Sequence, residues 1–230
     1  MRLNRFIASC GFCSRRKADM LIEAGRVTCN GQVVTLLGTV IDETRDTILV
    51  DGVRLQLPSN KTYLMLHKPV GFITTMHDDR GRVTIYHLLP KKFSTLRPVG
   101  RLDADSSGLL LLSNDGDFIQ RLSHPSSNVA KTYIVTARGL VSKLEIIKMR
   151  QGMRLPGEKQ LARANAALLD YQEATNVSKL KMVLTQGLNR EIRKMLALLG
   201  HEVITLKRIA QGRFKLGSLK EGAWRLIKSH

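Results

Sequence analysis

Acidic side chains are scarce in this chain: 19 aspartates and glutamates stand against 37 lysines and arginines, a formal net charge of +18 over 230 residues. Such an excess points to a polyanionic partner, and nucleic acid is the commonest one. The plainer alternative is a merely soluble basic surface. Aromatic residues make up only 5% of the chain, with Tyr 4 and Trp 1, so a base-stacking ring has to come from few candidates. Cysteine is limited to Cys10, Cys13 and Cys29. An odd count does not suit a disulfide framework and points to a reducing cytoplasm. Cys10 and Cys13 form a C-x-x-C pair, but a structural zinc needs four ligands, and no histidine precedes His67. These cysteines are therefore read as small apolar residues of a helical unit, and no metal is expected. No apolar run approaches the ~20 residues of a membrane span. The start, Met1-Arg2-Leu3-Asn4-Arg5, runs directly into a helical pattern without a cleavable leader. A cytoplasmic protein away from membranes is expected.

The length accommodates one large domain, or one small and one medium. Leu3, Phe6, Ile7 and Cys10 carry helical spacing, and Gly11 ends the run. Ser14 can cap a second helix in which Ala18, Leu21 and Ile22 face a core and Gly25 stops the pattern. Asn30-Gly31 and Asp51-Gly52 each sit between strand-like runs and predict hairpins. Residues 57–61 read as a linker, so two domains are expected, 1–58 and 59–230. The first holds 8 basic and 6 acidic side chains and the second 29 and 13, so the second carries most of the field. Beyond the linker, strands are predicted over 62–67, 96–102, 108–113, 132–137, 164–171, 180–185, 203–208 and 224–227. Helices are predicted over 85–89, 117–123, 142–151 and 189–199. Many strands with few, scattered helices imply an α+β domain with a mixed, largely antiparallel sheet flanked by helices.

Three places break local rules or collect reactive groups. Arg15, Arg16 and Lys17 occupy the first turn of the second helix, where the dipole disfavours cations. They could hold phosphates together with the free amides there, or form a solvated face; the residues alone leave both open. Arg190, Arg193 and Lys194 lie at i, i+3, i+4 near the start of the helix predicted over 189–199, again at the wrong pole. Asp103 follows an apolar run, and Arg101 precedes it by two, on the same face of a strand. On spacing alone an aspartate there reads as a turn or ion-pair residue. Asp105 and Asp115 fit that reading better still, as turn residues. Alternation also places Lys131 and Tyr133 on one strand face. A buried tyrosine there is ordinarily core. Lys68-Pro69-Val70-Gly71 adds a rigid bend with a cation at its start.

Taken in order, these segments resemble the RsuA family of ribosomal RNA pseudouridine synthases over nearly the whole chain. Lys68-Pro69-Val70-Gly71 is similar to its opening motif, and Gly100-Arg101-Leu102-Asp103 with Ser107-Gly108-Leu109 to its catalytic motif. Lys131-Thr132-Tyr133 and Gly187-x-Asn189-Arg190-x-x-Arg193 resemble its later motifs, and Leu206-x-Arg208-x-x-x-Gly212 with Leu219-x-x-Gly222-x-Trp224 its closing segment. The stretch from Ser14 to Gly31 looks like the small RNA-binding module called the alpha-L motif. Glu191 departs from the glutamine that the family often has. The 186–190 segment looks closest to members that act on the large subunit.

The resemblance implies isomerisation of a uridine in ribosomal RNA, large subunit favoured, by a monomer needing no cofactor, on RNA or a ribosomal assembly intermediate. It makes Asp103 the essential acid, as nucleophile at the anomeric carbon or base at the neighbouring ribose carbon. Arg193 would orient Asp103 through paired hydrogen bonds. Tyr133 would stack on the uracil, and Arg101 would fill the space left by the flipped nucleotide. Arg15, Arg16, Lys17, Lys68, Arg190 and Lys194 would contact RNA. The competing readings are a non-catalytic RNA-binding assembly factor, a synthase acting on transfer RNA, and a DNA base-excision enzyme, which would leave an abasic product.

Overall fold

The computed structural model describes residues 1–58, 60–76 and 78–228. It divides the chain into two compact units, residues 1–62 with 114–116, and residues 63–113 with 117–230.

The first unit begins with two helices, α1 (Leu3–Ser9) and α2 (Arg15–Glu23). The Ser14 hydroxyl caps α2 by accepting from the Lys17 amide at 3.2 Å, and no acid occupies its first turn. Strands β1 (Val27–Cys29), β2 (Gln32–Val33), β3 (Ile48–Val50) and β4 (Val53–Arg54) form one antiparallel sheet in the order β2-β1-β3-β4. Both predicted hairpins form. Asn30, Gly31, Asp51 and Gly52 all take positive φ, at 53°, 81°, 50° and 78°, the conformation such two-residue turns require. Leu3, Phe6, Ile7, Ala18, Leu21, Ile22, Val27, Ile48 and Val50 build the core. Cys10, Cys13 and Cys29 pack on its rim, free and half-buried rather than enclosed. Burial pushes the Cys10 thiol up to about 11.

The second unit is organised by a nine-stranded sheet. Its strands are β5 (Tyr63–Lys68), β6 (Arg97–Pro98), β7 (Ser107–Ser113), β8 (Lys131–Arg138), β11 (Asn165–Gln172), β12 (Val177–Leu184), β13 (Val203–Gln211), β14 (Phe214–Lys215) and β15 (Trp224–Leu226). The order is β11-β12-β8-β13-β7-β5-β15, with β6 on β7 and β14 on β13. Only β7 and β13 run parallel; the remaining pairs are antiparallel, so the sheet is mixed and largely antiparallel as expected. The short strands β9 (Met153–Arg154) and β10 (Leu161–Ala162) form a separate hairpin. Helices α3 (Gly116–Ser123), α4 (Lys143–Gln151) and α5 (Glu191–Leu198) complete the fold. Ser142 and Glu145 form a reciprocal cap at the start of α4. Val135, Leu180, Met182, Met195 and Leu196 anchor the largest core cluster, and Leu64, Leu66, Leu110 and Leu112 a second.

Three expectations need correction. The strand predicted over 96–102 pairs only at Arg97 and Pro98. Val99 N still donates to Leu111 O at 2.8 Å; Gly100 then turns with φ +77°, and residues 100–106 leave the sheet as a loop. The helix predicted over 189–199 starts at Glu191, because Arg190 precedes it in a left-handed conformation with φ 51° and ψ 37°. The helix predicted over 85–89 is a single turn of 3-10 helix, Ile85–Leu88.

Gly108 fixes the parallel seam. It pairs with Arg208 across β7 and β13, and its φ is +110°. A Cβ there would lie 2.6 Å from the Arg208 nitrogen and 2.9 Å from its carbonyl carbon, and closer still to the oxygen. Only glycine lets the two backbones meet this closely.

Candidate active site

The loop between β6 and β7 carries Asp103, and the surrounding structure ties down its main chain at several points. The Thr74 hydroxyl donates to the Leu102 carbonyl at 2.8 Å. The Gly71 amide donates to Ala104 O at 2.8 Å, and Ser106 N donates to Asp103 O at 3.1 Å. The Arg193 guanidinium donates through Nη2 to Asp105 O at 2.8 Å and through Nη1 to Val203 O at 3.1 Å. A loop held at this many points presents its side chains in one geometry.

Lys68 is expected at the RNA; the structure places it elsewhere. It is wholly buried at the end of β5, and its ammonium donates to Pro69 O at 2.8 Å and Ser106 O at 2.7 Å. It cannot touch a phosphate there. Its role is to hold the loop from beneath. Burial depresses its ammonium to about 8, and the nearby Asp105 and Asp103 charges only partly oppose this.

The arginines also sort differently from the expectation. Arg193 does not pair with Asp103. Its Nε lies 3.2 Å from Asp105 Oδ2, while Arg190 places Nη2 2.9 Å from the same oxygen and Nη1 3.7 Å from Asp103 Oδ2. The physical reason is the loop: residues 101–105 do not continue a strand, so Asp105 rather than Asp103 turns toward α5. Burial alone would raise the Asp105 carboxyl; the hydrogen bond from Arg190 and the charges of Arg193 and Arg190 outweigh it and hold it below its ordinary value. Asp105, read from sequence as a turn residue, is thus the electrostatic clasp of the loop. Asp103 is left with 38% of its side chain exposed and, among the described residues, a long ion-pair contact to Arg190.

Beside Asp103 opens a cleft of about 430 Å³. Arg101, Tyr133, Lys131, Arg190, Glu191 and Arg208 are among the side chains that line it. Tyr133 is half-buried on β8, directly across from Arg208 on β13. Arg101 is exposed at the rim. Lys194 is not at the cleft wall; it pairs with Glu158 at 3.3 Å. In the first unit, Arg15, Arg16 and Lys17 are exposed on α2.

Two buried groups lie in segments that resemble the family's motifs but are not among the expected site residues. Arg208 is 2% exposed, and its Nε donates to Leu109 O at 2.8 Å. Its alternation with the apolar Leu206 is the one hint that it faces inward. Glu191 is buried in the first turn of α5, and burial pushes its carboxyl up to about 7. Lys131, facing the same cleft, is depressed by burial and by the Arg208 charge, with Glu191 opposing.

Comparison with known proteins agrees with this geometry. Residues 62–198 match the RNA pseudouridylate synthase family, and residues 1–46 match the S4 domain. The ribosomal large subunit pseudouridine synthase B of Bacillus subtilis is 38% identical over 229 residues, 100% of this chain and 93% of that protein. The enzyme of the same description from Vibrio cholerae is 35% identical over 97% of this chain and 70% of its own length. A crystal structure of a pseudouridylate synthase superposes with a TM-score of 0.72 at 30% identity, covering 99% of this chain and 96% of the other.

Proposed function

The chain belongs to the RNA pseudouridylate synthase family, and on that premise we propose that it isomerises a uridine of large-subunit ribosomal RNA with Asp103 as its catalytic carboxylate. The observation that carries the assignment is the division of labour in the loop. Asp105 occupies both arginines, which leaves Asp103 partly exposed at the cleft beside Tyr133. The large subunit is favoured because two of the relatives are ribosomal large subunit pseudouridine synthases; transfer RNA is the second substrate to test.

The reaction breaks the bond between ribose C1′ and uracil N1, turns the base, and joins C1′ to C5. The proton on C5 leaves and N1 gains one, so the product is an isomer. Asp103 in its ionised form either attacks C1′ or removes the proton from C2′. A carboxylate suits either role because positive charge develops on the ribose as the bond to N1 breaks. The Tyr133 ring stacks on the flipped base, and Arg101 stands where the nucleotide left the helix. Arg193 acts as a positioning residue through Asp105. Arg190 at the cleft, with Arg15, Arg16 and Lys17 on the first unit, meets backbone phosphates. The chain works as a cytoplasmic monomer.

The test is tritium release from large-subunit ribosomal RNA, small-subunit ribosomal RNA and transfer RNA, each labelled at uracil C5. Wild type is expected to release tritium from the large-subunit transcript, and Asp103→Asn to release none from any of the three. Release by Asp103→Asn at the wild-type rate would remove Asp103 from the chemistry. No release by wild type, with RNA still bound, would favour an assembly factor that only binds.

A further inference from the structure

Two short strands, β14 and β15, border a groove of about 410 Å³ that shares no lining residue with the Asp103 cleft. Its floor is Met65 of β5 and Phe214 of β14, both buried, and its rims carry Arg213, Lys215, Arg225 and Lys228. Those four cations are exposed, and no aspartate or glutamate lines the groove among the described residues. Lys215, Arg225 and Lys228 make no ion pair with an acid of the described residues, and the Arg213 guanidinium stands 5.1 Å from the centre of the Phe214 ring. Like charges gathered without a counter-charge repel one another, so folding alone gives no reason to collect them. The register fixes where they point. Arg225 pairs with Met65 across β15 and β5, and cross-strand partners share a face. Met65 points away from its neighbours Leu64 and Leu66. Those two belong to the cluster that Tyr133 packs against, while Met65 packs with Phe118 and Phe214. The groove therefore opens on the face of the sheet opposite to Tyr133, which lines the Asp103 cleft, and beside β15, the terminal strand of the sheet.

A sugar–phosphate strand alternates anionic phosphates with the apolar faces of its riboses, and here cations stand at the rims of an apolar floor. We propose that this groove holds the sugar–phosphate backbone of a second segment of the RNA substrate, separate from the strand that carries the reacting uridine. Lys215, Arg225 and Lys228 meet its phosphates. No base is read, because the groove offers cations and apolar carbon rather than paired donors and acceptors. The proposal rests on RNA being the substrate and is independent of the role of Asp103. Because the groove and the cleft lie on opposite faces, one straight helix cannot fill both. The RNA has to round the β15 edge or offer two helices, as a large folded RNA does and a single stem-loop does not. The groove thus favours ribosomal RNA or an assembly intermediate over an isolated hairpin.

The test is the salt dependence of binding. Affinity for a large-subunit ribosomal RNA transcript is measured by filter binding over a series of salt concentrations. Each phosphate contact adds about 0.7–0.9 to the steepness with which log K falls against log [salt]. The variant Lys215→Ala/Arg225→Ala/Lys228→Ala, with folding checked by its melting curve, is expected to lower that steepness by about 2. Lys143→Ala/Lys148→Ala/Arg154→Ala removes the same charge from exposed positions elsewhere and is expected to keep the wild-type slope, which separates contact from the general field. A short RNA duplex added to the 15N-labelled wild-type chain is expected to shift the amides of Lys215 and Arg225, a readout that stands even if the variant does not fold. An unchanged slope in the groove variant, an equal fall in both variants, or no shift at those amides would overturn the proposal. So would poly-glutamate that binds wild type and not the groove variant while the RNA slopes agree, which would assign the groove to an acidic protein. Tritium release by wild type in any of those cases would leave the reaction itself standing. A lower slope in a protein that releases no tritium would leave the groove standing, so the two readings fail separately.

Discussion

Replacing Gly108 by alanine tests whether the close approach of two backbones at the parallel seam behind the Asp103 loop dictates a glycine there. Gly108 opens the buried stretch of β7, directly after the loop, and its neighbour across the seam is the main chain of Arg208. The clashing atoms are backbone, so no side chain can swing aside to make room. Relief requires β7 and β13 to part at the pairs Lys207↔Ser107 and Arg208↔Gly108, the only two that join them. Holding an L residue at this positive φ costs about 1–3 kcal/mol. Overfilling a packed interior costs about 1–3 kcal/mol more. The sum, about 2–6 kcal/mol, is a large share of the ~5–15 kcal/mol that keeps a typical domain folded. Gly217→Ala is the matched control, since its φ is +60° and nothing lies within 4 Å of the added carbon. It carries the conformational penalty alone, about 1–2 kcal/mol. Urea denaturation of both variants separates the two effects. Gly108→Ala is expected to fall below Gly217→Ala by about 2 kcal/mol or more, the overfilling penalty at a site that cannot relax. Equal midpoints would refute the claim that close approach of the two backbones dictates the glycine.

Two further substitutions probe what holds the loop. Lys68 keeps its ammonium at about 8 because it is buried, so between about 8 and its ordinary 10.5 the unfolded chain binds the extra proton and stability rises with pH. That rise amounts to at most about 3 kcal/mol; Lys68→Met should lack it, and parallel slopes for the two proteins in denaturation from pH 7 to 11 would count against a buried ammonium. Arg193→Lys keeps the charge but cannot reach Asp105 O and Val203 O together from one nitrogen. Its kcat is expected to fall about tenfold or more with KM little changed, and an unaltered kcat would show that the fork does not set the loop.

Much of the fold was legible because local rules and tertiary packing agreed. Asn30-Gly31 and Asp51-Gly52 announce turns that few other pairs can make, and both hairpins form around them. The Gly-Leu-Leu-Leu-Leu run at 108–112 is buried as a central strand, as its continuous apolar character implies. The hairpin of β9 and β10 escaped notice, because two-residue strands carry no periodicity. The strand predicted over 96–102 failed for an instructive reason. Its apolar residues are buried, Leu96 at 2%, Val99 at 0% and Leu102 at 6%, yet Gly100 bends the chain out of the sheet. Burial and strand pairing are separate properties, and periodicity reports only the first.

The site was legible to the extent that its chemistry is local. The motifs around Asp103, Tyr133 and Arg193 were recognisable in order, and the family they resemble is the one the chain belongs to. What the sequence could not show is which acid meets which base. Asp103 and Asp105 look interchangeable as letters; the resemblance implied Arg193 beside Asp103, and the fold places it against Asp105 instead. In a left-handed conformation before α5, Arg190 reaches both carboxylates from outside the helix, so it is no longer a misplaced cation of the first turn. A position that looked unfavourable in sequence is therefore explained by long-range pairing, 85 residues away along the chain. Glu191 and Gln211 pose the same difficulty in a stronger form. Even the motif around Glu191 does not show its Oε1 unpaired among the described residues, because a missing partner exists only once every other hydrogen bond in the fold has been made.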